Sequence, residues 1–251
     1  MDLIESNQLV NEQEHWWTKT RFCYIERAIK LLSKKRQSIL EVGCGTCQNL
    51  AFLRTKERVS GNIERVVGFD PGFIDPPTFS WRKTNDLFVK TLENSSQESF
   101  DLLLAMDVLE HLDNDVEHLQ NWLRYLKKDS LVLITVPAFE CLWSYHDELL
   151  FHKRRYTKKT LRNLASQVGL EPLMLTYAFG HIFLPAFFIR KILAPFAKQK
   201  KSTDLQESHF LLNKALYSLG KIEALFGGNP LFGTSVIGIF TYANRDSNSL
   251  L

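Results

Sequence analysis

Two short and almost entirely apolar segments, residues 100–106 and 131–136, constrain the fold of this chain most strongly. Runs of this kind are typical of strands that are buried on both faces of a parallel sheet. A helical pattern lies between them, since Val116, Leu119 and Leu123 recur on one face over residues 113–126. Strands that alternate with helices predict a parallel α/β sheet covered by helices on both sides.

The other elements are predicted from the same periodicities and from turn residues. Helices are expected over residues 1–37, 49–54 and 158–168, the last with Thr157 as N-cap and Gly169 just beyond its end. Further strands are expected over residues 38–42, 65–70, 173–177 and 235–242, and a third strand near residues 79–83.

Composition excludes several classes of protein. The 251 residues carry 31 Lys+Arg against 28 Asp+Glu, and a net charge of +3 is too small to indicate a nucleic-acid partner. The four cysteines do not form a disulfide framework, and the first residues show no signal peptide. These features favour a cytoplasmic protein.

A glycine-bearing turn, EVGCGTC at residues 41–47, follows the first predicted sheet strand and precedes a helix. A dinucleotide-binding turn of the G-x-G-x-x-G type would need a glycine where Gln48 stands, and the nearby Glu41 would repel a pyrophosphate. Cys44 and Cys47 form a C-x-x-C, but no second pair of ligands lies at metal-binding spacing, so no metal site is expected.

Asp70 ends the next predicted strand. A carboxylate at the end of a strand can accept hydrogen bonds from both hydroxyls of a ribose. The alternative is that Asp70 only caps the turn at Pro71 and Gly72.

Four segments together resemble the class I S-adenosylmethionine-dependent methyltransferases, in the branch of the ubiquinone- and menaquinone-biosynthesis enzymes and of polysaccharide-associated methyltransferases. They are ILEVGCGT at residues 39–46, VGFD at 67–70, FDLLLAMDVLEHL at 100–112 and LVLITVP at 131–137. The resemblance covers about residues 38–140 and implies S-adenosylmethionine as cofactor. It also implies a Rossmann-like seven-stranded sheet of order 3-2-1-4-5-7-6 with the last strand antiparallel.

The resemblance further implies roles for individual residues. The loop glycines would pass beneath the methionine part of the cofactor, and Asp70 would hold the ribose. Glu41 would lie beside the ammonium group of the cofactor or beside the loop backbone. Asp86 is the expected adenine contact, with Asn85 as its rival. The full set of expected cofactor residues is Glu41, Gly43, Cys44, Gly45, Asp70, Asp86, Met106 and Asp107.

The acceptor side of the reaction is expected in the charged segment over residues 144–157, which resembles a His-Asp…His-x-Arg-Arg-Tyr-Thr segment of the polysaccharide-associated enzymes. An oxygen nucleophile needs a base, and the candidates are His111, His146, Asp147 and His152, with the three histidines preferred. Cations disfavour the start of a helix, so Arg154 and Arg155 are expected to bind an anionic acceptor or a carboxylate partner such as Glu148. The acceptor is preferred, with Tyr156 as a third contact.

The chain therefore divides into an N-terminal helical cap (1–37), a methyltransferase core (38–178 and 233–244) and a helical insertion (179–232). Residues 172–203 contain no Asp or Glu, so the insertion suits a lid, a homodimer contact or peripheral attachment to the inner face of a membrane. The expected acceptor is a small molecule or a lipid- or sugar-linked intermediate, methylated at oxygen. The alternatives are a nicotinamide-dependent oxidoreductase and a non-catalytic methyltransferase-like protein that binds the cofactor.

Overall fold

A seven-stranded sheet forms the centre of the protein, with its strands in the order β3-β2-β1-β4-β5-β7-β6. The computed structural model describes residues 12–32, 37–56, 61–73, 78–92, 99–193 and 209–243. Strands β1 to β5 are parallel, and β7 is antiparallel to both of its neighbours. The expected strand order and the antiparallel last strand are confirmed. The strands are β1 Gln37–Val42, β2 Ile63–Phe69, β3 Leu87–Val89, β4 Phe100–Met106, β5 Leu126–Pro137, β6 Leu170–Ala178 and β7 Ser235–Tyr242.

Helices cover both faces of the sheet, as the alternating pattern predicts. The α-helices are α1 Trp16–Leu31, α2 Gln48–Thr55, α3 Asp115–Leu123, α4 Tyr145–Leu149, α5 Lys158–Gln167, α6 Phe183–Phe188 and α7 Phe210–Leu225. Single turns of 3-10 helix lie at Glu12–Glu14, Leu109–His111, Glu140–Leu142 and Gly180–Ile182, and a π-helical turn lies at Ile189–Leu193.

The expected ends of α5 are confirmed. The Thr157 hydroxyl accepts a hydrogen bond from the Thr160 backbone N–H, which satisfies one of the free donors of the first turn. Gly169 follows the helix with a φ of +79°, a left-handed conformation that favours glycine.

The third strand lies later in the chain than expected, at β3 rather than near residues 79–83. The aromatic residues that suggest a strand there instead form a cluster, in which Phe79 stacks on Trp81 at 4.7 Å and both meet Phe88 of β3 edge-on. Helix α3 is also shorter than expected at both ends, because β5 already begins at Leu126.

The expected first helix is present as α1, which packs against α2 through a stack of Phe22 on Phe52 at 3.9 Å. Residues 1–11 and 33–36 of the expected helical cap lie outside the described residues. The N-terminal end of α1 lies on the carboxyl-end edge of the sheet, where ligands of parallel sheets bind.

The insertion between β6 and β7 is helical where the structure describes it, in α6, the π-helical turn and α7. Helix α7 packs along α1: Asn213 accepts from the Trp16 backbone N–H at 2.8 Å, and Gly220 lies so close to Thr20 that a Cβ there would be 2.5 Å from its hydroxyl. Residues 194–208, with the cations Lys198, Lys200 and Lys201, lie outside the described residues. Within the described ranges, every helix is too short or too polar to cross a membrane.

Candidate active site

The glycine turn after β1 brings backbone groups to the edge of the sheet. Gly43 has a φ of +61°, and a Cβ at this position would lie 2.6 Å from Cγ2 of Val108. Both the conformation and the close approach therefore require glycine here. The turn continues through Gly45 at φ +50° and Cys47 at φ +61°, and α2 begins directly after it.

Asp70 lies at the carboxyl end of β2 and joins two loops. Its Oδ2 accepts from the Gly45 N–H and its Oδ1 from the Gly72 N–H, both at 2.8 Å. Since a carboxylate has about four acceptor positions, each oxygen of Asp70 can still accept one more hydrogen bond. Capping the turn and binding a ribose are therefore compatible tasks for this side chain.

Glu41 is buried at the end of β1, where the Asn49 side chain donates to its Oε1 at 2.6 Å. Its Oε2 has no hydrogen-bond partner within the described ranges. Burial raises the pKa of Glu41 to about 7, although the bond from Asn49 acts in the opposite direction. A buried carboxyl with one free oxygen beside the glycine turn fits the ammonium group of S-adenosylmethionine.

The C-x-x-C of the same turn is present as two free thiols. Cys44 Sγ and Cys47 Sγ are 3.4 Å apart and both side chains are buried. The hydrogen bond with Cys47 and burial both raise the pKa of Cys44, so this thiol resists deprotonation.

Met106 and Asp107 end β4 beside the turn. Met106 is buried, whereas Asp107 has a φ of +56° and accepts from the Thr135 hydroxyl at 3.1 Å. Its other oxygen is 3.2 Å from Nη2 of Arg21, which reaches across from α1.

Arg21 is a site residue that sequence reasoning missed. Its side chain is only 3% exposed and lies over the ring of Trp17, 4.3 Å from the ring centroid. A signal was present, because Arg21 shares the apolar face of α1 with Ile25 and Ala28. A charge on a buried helix face indicates a partner in the protein or in a ligand.

Asp86 does not lie where an adenine contact is expected. It precedes β3, at the amino end of the strand, and is fully buried. Both of its oxygens are engaged by Arg54, one of them also by the Val66 N–H and the other by the Lys83 N–H. An adenine contact by Asp86 does not fit this burial and pairing, because the third strand begins after Asp86 and does not end before it.

The acceptor-side segment is held together by Asp147, which is buried at the start of α4. His152 Nδ1 is 2.9 Å from its Oδ1, and Arg155 donates to both oxygens at 2.8 and 3.0 Å. Burial would raise the pKa of Asp147, but the hydrogen bond with His152 and the charge of Arg155 lower it well below its ordinary value. Asp147 is therefore an anion that fixes the His152 ring.

The three histidines, His111, His146 and His152, form what we call the histidine cluster. The ring centroids of His111 and His152 are 4.7 Å apart, and those of His146 and His152 are 6.4 Å apart. The cluster lies beyond the carboxyl ends of β4 and β5, since Lys153 N–H donates to Glu110 O at 2.7 Å. This is the edge of the sheet that also carries the glycine turn.

The residues that were expected to bind the acceptor have internal partners. Arg155 is 3% exposed and also donates to Ala138 O, while Tyr156 is buried and donates to Asp115 at 2.7 Å. Direct contact of these two side chains with an acceptor does not fit their burial. Arg154 donates hydrogen bonds to the carbonyl oxygens of residues 112 and 113, but 35% of its side chain is exposed. A contact between Arg154 and the acceptor therefore stays a prediction.

Comparison with known proteins identifies a family for this chain. Residues 17–175 match the family described as "Methyltransferase domain". Among solved structures, the S-adenosylmethionine-dependent methyltransferase of Archaeoglobus fulgidus is 16% identical, with 89% of this chain and 92% of that chain covered and a TM-score of 0.51. The plantazolicin methyltransferase BpumL, solved with S-adenosylhomocysteine, is 16% identical, with coverage of 96% and 89% and a TM-score of 0.55.

A further similar chain comes from a complex of the Haloferax volcanii Trm112 methyltransferase activator with a methyltransferase. It is 13% identical, with coverage of 96% and 93% and a TM-score of 0.54. No curated protein matches this sequence.

The family match spans more than half of the chain, so the protein belongs to this methyltransferase family. It is an S-adenosylmethionine-dependent methyltransferase with a Rossmann-like fold. The residues present fit that cofactor, because the turn at Gly43 has no room for a side chain and Glu41 keeps one buried oxygen without a hydrogen-bond partner in the described structure. The family match also selects methyl transfer over the nicotinamide-dependent alternative.

Proposed function

We propose that this enzyme methylates a hydroxyl oxygen of a lipid- or sugar-linked acceptor, as in the polysaccharide-associated branch that its sequence resembles. The observation that carries the proposal is the buried Asp147, which orients His152 within the histidine cluster. A carboxylate bound to one ring nitrogen fixes the tautomer and turns the other nitrogen outward. An alcohol has a high pKa, so its methylation needs such a base, whereas an amine or thiol acceptor needs one less.

The chemistry divides between cofactor and chain. S-adenosylmethionine supplies a methyl group on a positively charged sulfur and leaves as S-adenosylhomocysteine. The acceptor oxygen forms its bond to the methyl carbon as the carbon–sulfur bond breaks toward sulfur, and the hydroxyl proton passes to a histidine of the cluster. Glu41, the glycine turn and Asp70 would hold the donor, and Arg21, which lies over the Trp17 ring, would cover the site beside Asp107.

A lipid-linked acceptor is supported by the apolar insertion surface, which we define as Leu184, Phe188, Ile189, Leu211, Leu212, Leu219, Ile222, Leu225 and Phe226. All nine side chains are exposed. Many exposed apolar side chains on neighbouring segments of one insertion are typical of an interaction site. The insertion contacts the turn directly before the acceptor-side segment, since Arg190 donates to Leu142 O at 2.8 Å.

The charges around this surface favour an anionic membrane as its partner. Lys214 and Lys221 are exposed on α7, whereas the one acid of that helix, Glu223, points inward and accepts from the Gly180 N–H at 2.8 Å. Apolar side chains flanked by lysines are typical of helices that lie in a membrane interface. The proposal therefore places the enzyme at the inner membrane face.

The experiment that tests the acceptor is incubation of the protein with S-adenosylmethionine carrying an isotope-labelled methyl group and a lipid extract from the source cell. The expected product is a labelled lipid whose methyl chemical shift is that of a methyl ether or ester. Label on nitrogen, carbon or only water-soluble metabolites would refute the proposal.

Membrane attachment is tested by co-sedimentation with phosphatidylglycerol vesicles at low and high salt. The double variant Leu211→Ser/Ile222→Ser should stay in the supernatant. Leu173→Ser is the matched control, since Leu173 is an equally exposed leucine on β6. If wild type stays in the supernatant at low salt, the surface is a lid or a homodimer contact, and analytical ultracentrifugation separates those two.

A further inference from the structure

Glu110, His111 and His152 lie together in a way that the cofactor-binding residues do not explain. One ligand atom from each side chain lies within 4.8 Å of the other two. A zinc ion takes ligand atoms at about 2.0–2.2 Å, which places them roughly 3–4 Å from one another. Closing around an ion would therefore require shifts of about 1 Å or less in these side chains.

The carboxyl group of Glu110 is the strongest indication of a bound ion. Its side chain is fully buried, and neither carboxyl oxygen has a hydrogen-bond partner in the described part of the chain. A buried carboxylate without hydrogen bonds is costly, and burying a charge is normally offset by an opposite charge or a metal. The residue directly after it in the same 3-10 turn is His111, so the two side chains share one anchored segment.

The third ligand, His152, is held in place by residues that would not themselves bind the ion. The Lys153 backbone N–H donates to Glu110 O at 2.7 Å, which fixes the loop of His152 against the turn of Glu110. Asp147 forms a hydrogen bond with Nδ1 of His152, so Nε2 is the ring nitrogen that can bind an ion. A carboxylate that bonds the remaining ring nitrogen of a metal-binding histidine is a recurrent feature of metal sites.

We propose that Glu110, His111 and His152 form a binding site for one divalent transition-metal ion, with Asp147 as the positioning residue of His152. Two imidazoles and one carboxylate suit zinc and its neighbours in the first row. Three protein ligands leave a coordination position open, as in catalytic zinc sites. Cysteine spacing gives no indication of this site, because its ligands come from two distant segments and include no cysteine.

The catalytic role of the ion rests on the proposed function, whereas its binding does not. An acceptor hydroxyl at the open position would lose its proton more easily, because the ion stabilises the oxygen anion. In the metal-bound enzyme His152 would act as a ligand in place of a base, Asp147 would orient it for that task, and the hydroxyl proton would pass to His146, the other histidine of the cluster. The bond that forms and the bond that breaks are those of the methyl transfer described above.

The test measures metal binding directly, with no acceptor present. Purified protein is titrated with Zn²⁺ by calorimetry and with Co²⁺ by visible absorption, which reports nitrogen and oxygen ligation. One equivalent should bind, Glu110→Gln and His152→Ala should each bind at least 100-fold more weakly, and Asp147→Asn about 10–100-fold more weakly. The exposed His118→Ala is the matched control and should bind as wild type.

S-adenosylhomocysteine binding checks that each variant is folded. The absence of a stoichiometric ion in wild type, or equal affinity in the ligand variants, overturns the site. Methyl transfer that survives complete chelation keeps the proposed function and removes the ion from it. Specific metal binding by a protein without a labelled lipid product leaves the metal site standing and refutes the proposed acceptor.

Discussion

Replacing Asp70 by alanine should weaken the binding of S-adenosylhomocysteine by a predictable amount. Two of the roughly four acceptor positions of this carboxylate are used by Gly45 and Gly72, so two remain for the ribose hydroxyls. A hydrogen bond to a charged group contributes about 1.5–3 kcal/mol, with partly exposed groups at the lower end. Two such bonds correspond to about 3 kcal/mol, or roughly a 150-fold higher Kd.

The assay is isothermal titration calorimetry with S-adenosylhomocysteine and with its analogue that lacks the 2′-hydroxyl. Wild type should discriminate between the two ligands, and Asp70→Ala should lose that discrimination as well as affinity. Asp113→Ala is the control for removing a surface carboxylate, since the side chain of Asp113 is 81% exposed.

Two results would contradict this reasoning. An unchanged Kd would show that Asp70 only joins the two loops. A higher Kd with undiminished discrimination against the analogue would show that Asp70 acts on the loops and leaves the ribose to another group.

Three further predictions concern single substitutions in and near the site. Gly43→Ala should destabilise the fold by about 1–3 kcal/mol and abolish cofactor binding, whereas Gly61→Ala, with nothing within 4 Å of its Cβ, should be neutral in denaturation and binding assays. Arg155→Lys should lower kcat with little effect on the Kd of S-adenosylhomocysteine, because its paired hydrogen bonds to a carboxylate need the planar guanidinium; equal loss of both would refute this. Burial raises the pKa of Glu41 from 4.5 to about 7, so between these pH values the folded chain binds a proton that the unfolded chain has lost. The free energy of unfolding, measured by denaturant titration, should therefore fall as the pH rises from about 4.5 to about 7. Glu41→Gln should flatten that part of the profile, and an identical slope in both proteins would refute the assignment.

The parts of the site that the sequence predicts are those formed by contiguous residues. The turn at Gly43 and the carboxylate of Asp70 follow strands, and a strand that ends in a glycine turn or an acid is visible in a few letters. The strand order is what the methyltransferase resemblance implies, and that resemblance rests on four motifs in register. These positions are visible because a strand end, a glycine turn and an acid stand next to one another in the sequence, although their contacts, Asp70 with the Gly45 N–H and Gly43 with Val108, join distant segments.

Residues that act across the chain could not be placed in this way. Arg21 meets Asp107 only because α1 crosses the edge of the sheet, and Asp86 was expected at the end of a strand because an aromatic cluster resembles one. Charge alone leaves Arg155 a choice between an acceptor and a carboxylate such as Glu148, and only the fold shows that its partner is Asp147, eight residues earlier. Sequence patterns report which residues are polar, while the fold decides which of them are already paired.

The position of β7 between β5 and β6 also has a consequence for biosynthesis. The ribosome completes β5 and β6 well before Ser235–Tyr242, the strand that separates and pairs them. Until then, the buried apolar edge over residues 132–136 has no partner strand, and such edges promote aggregation. Chains that stop short of residue 235 should therefore accumulate in inclusion bodies or bind chaperones, while chains that include β7 can close the sheet on their own.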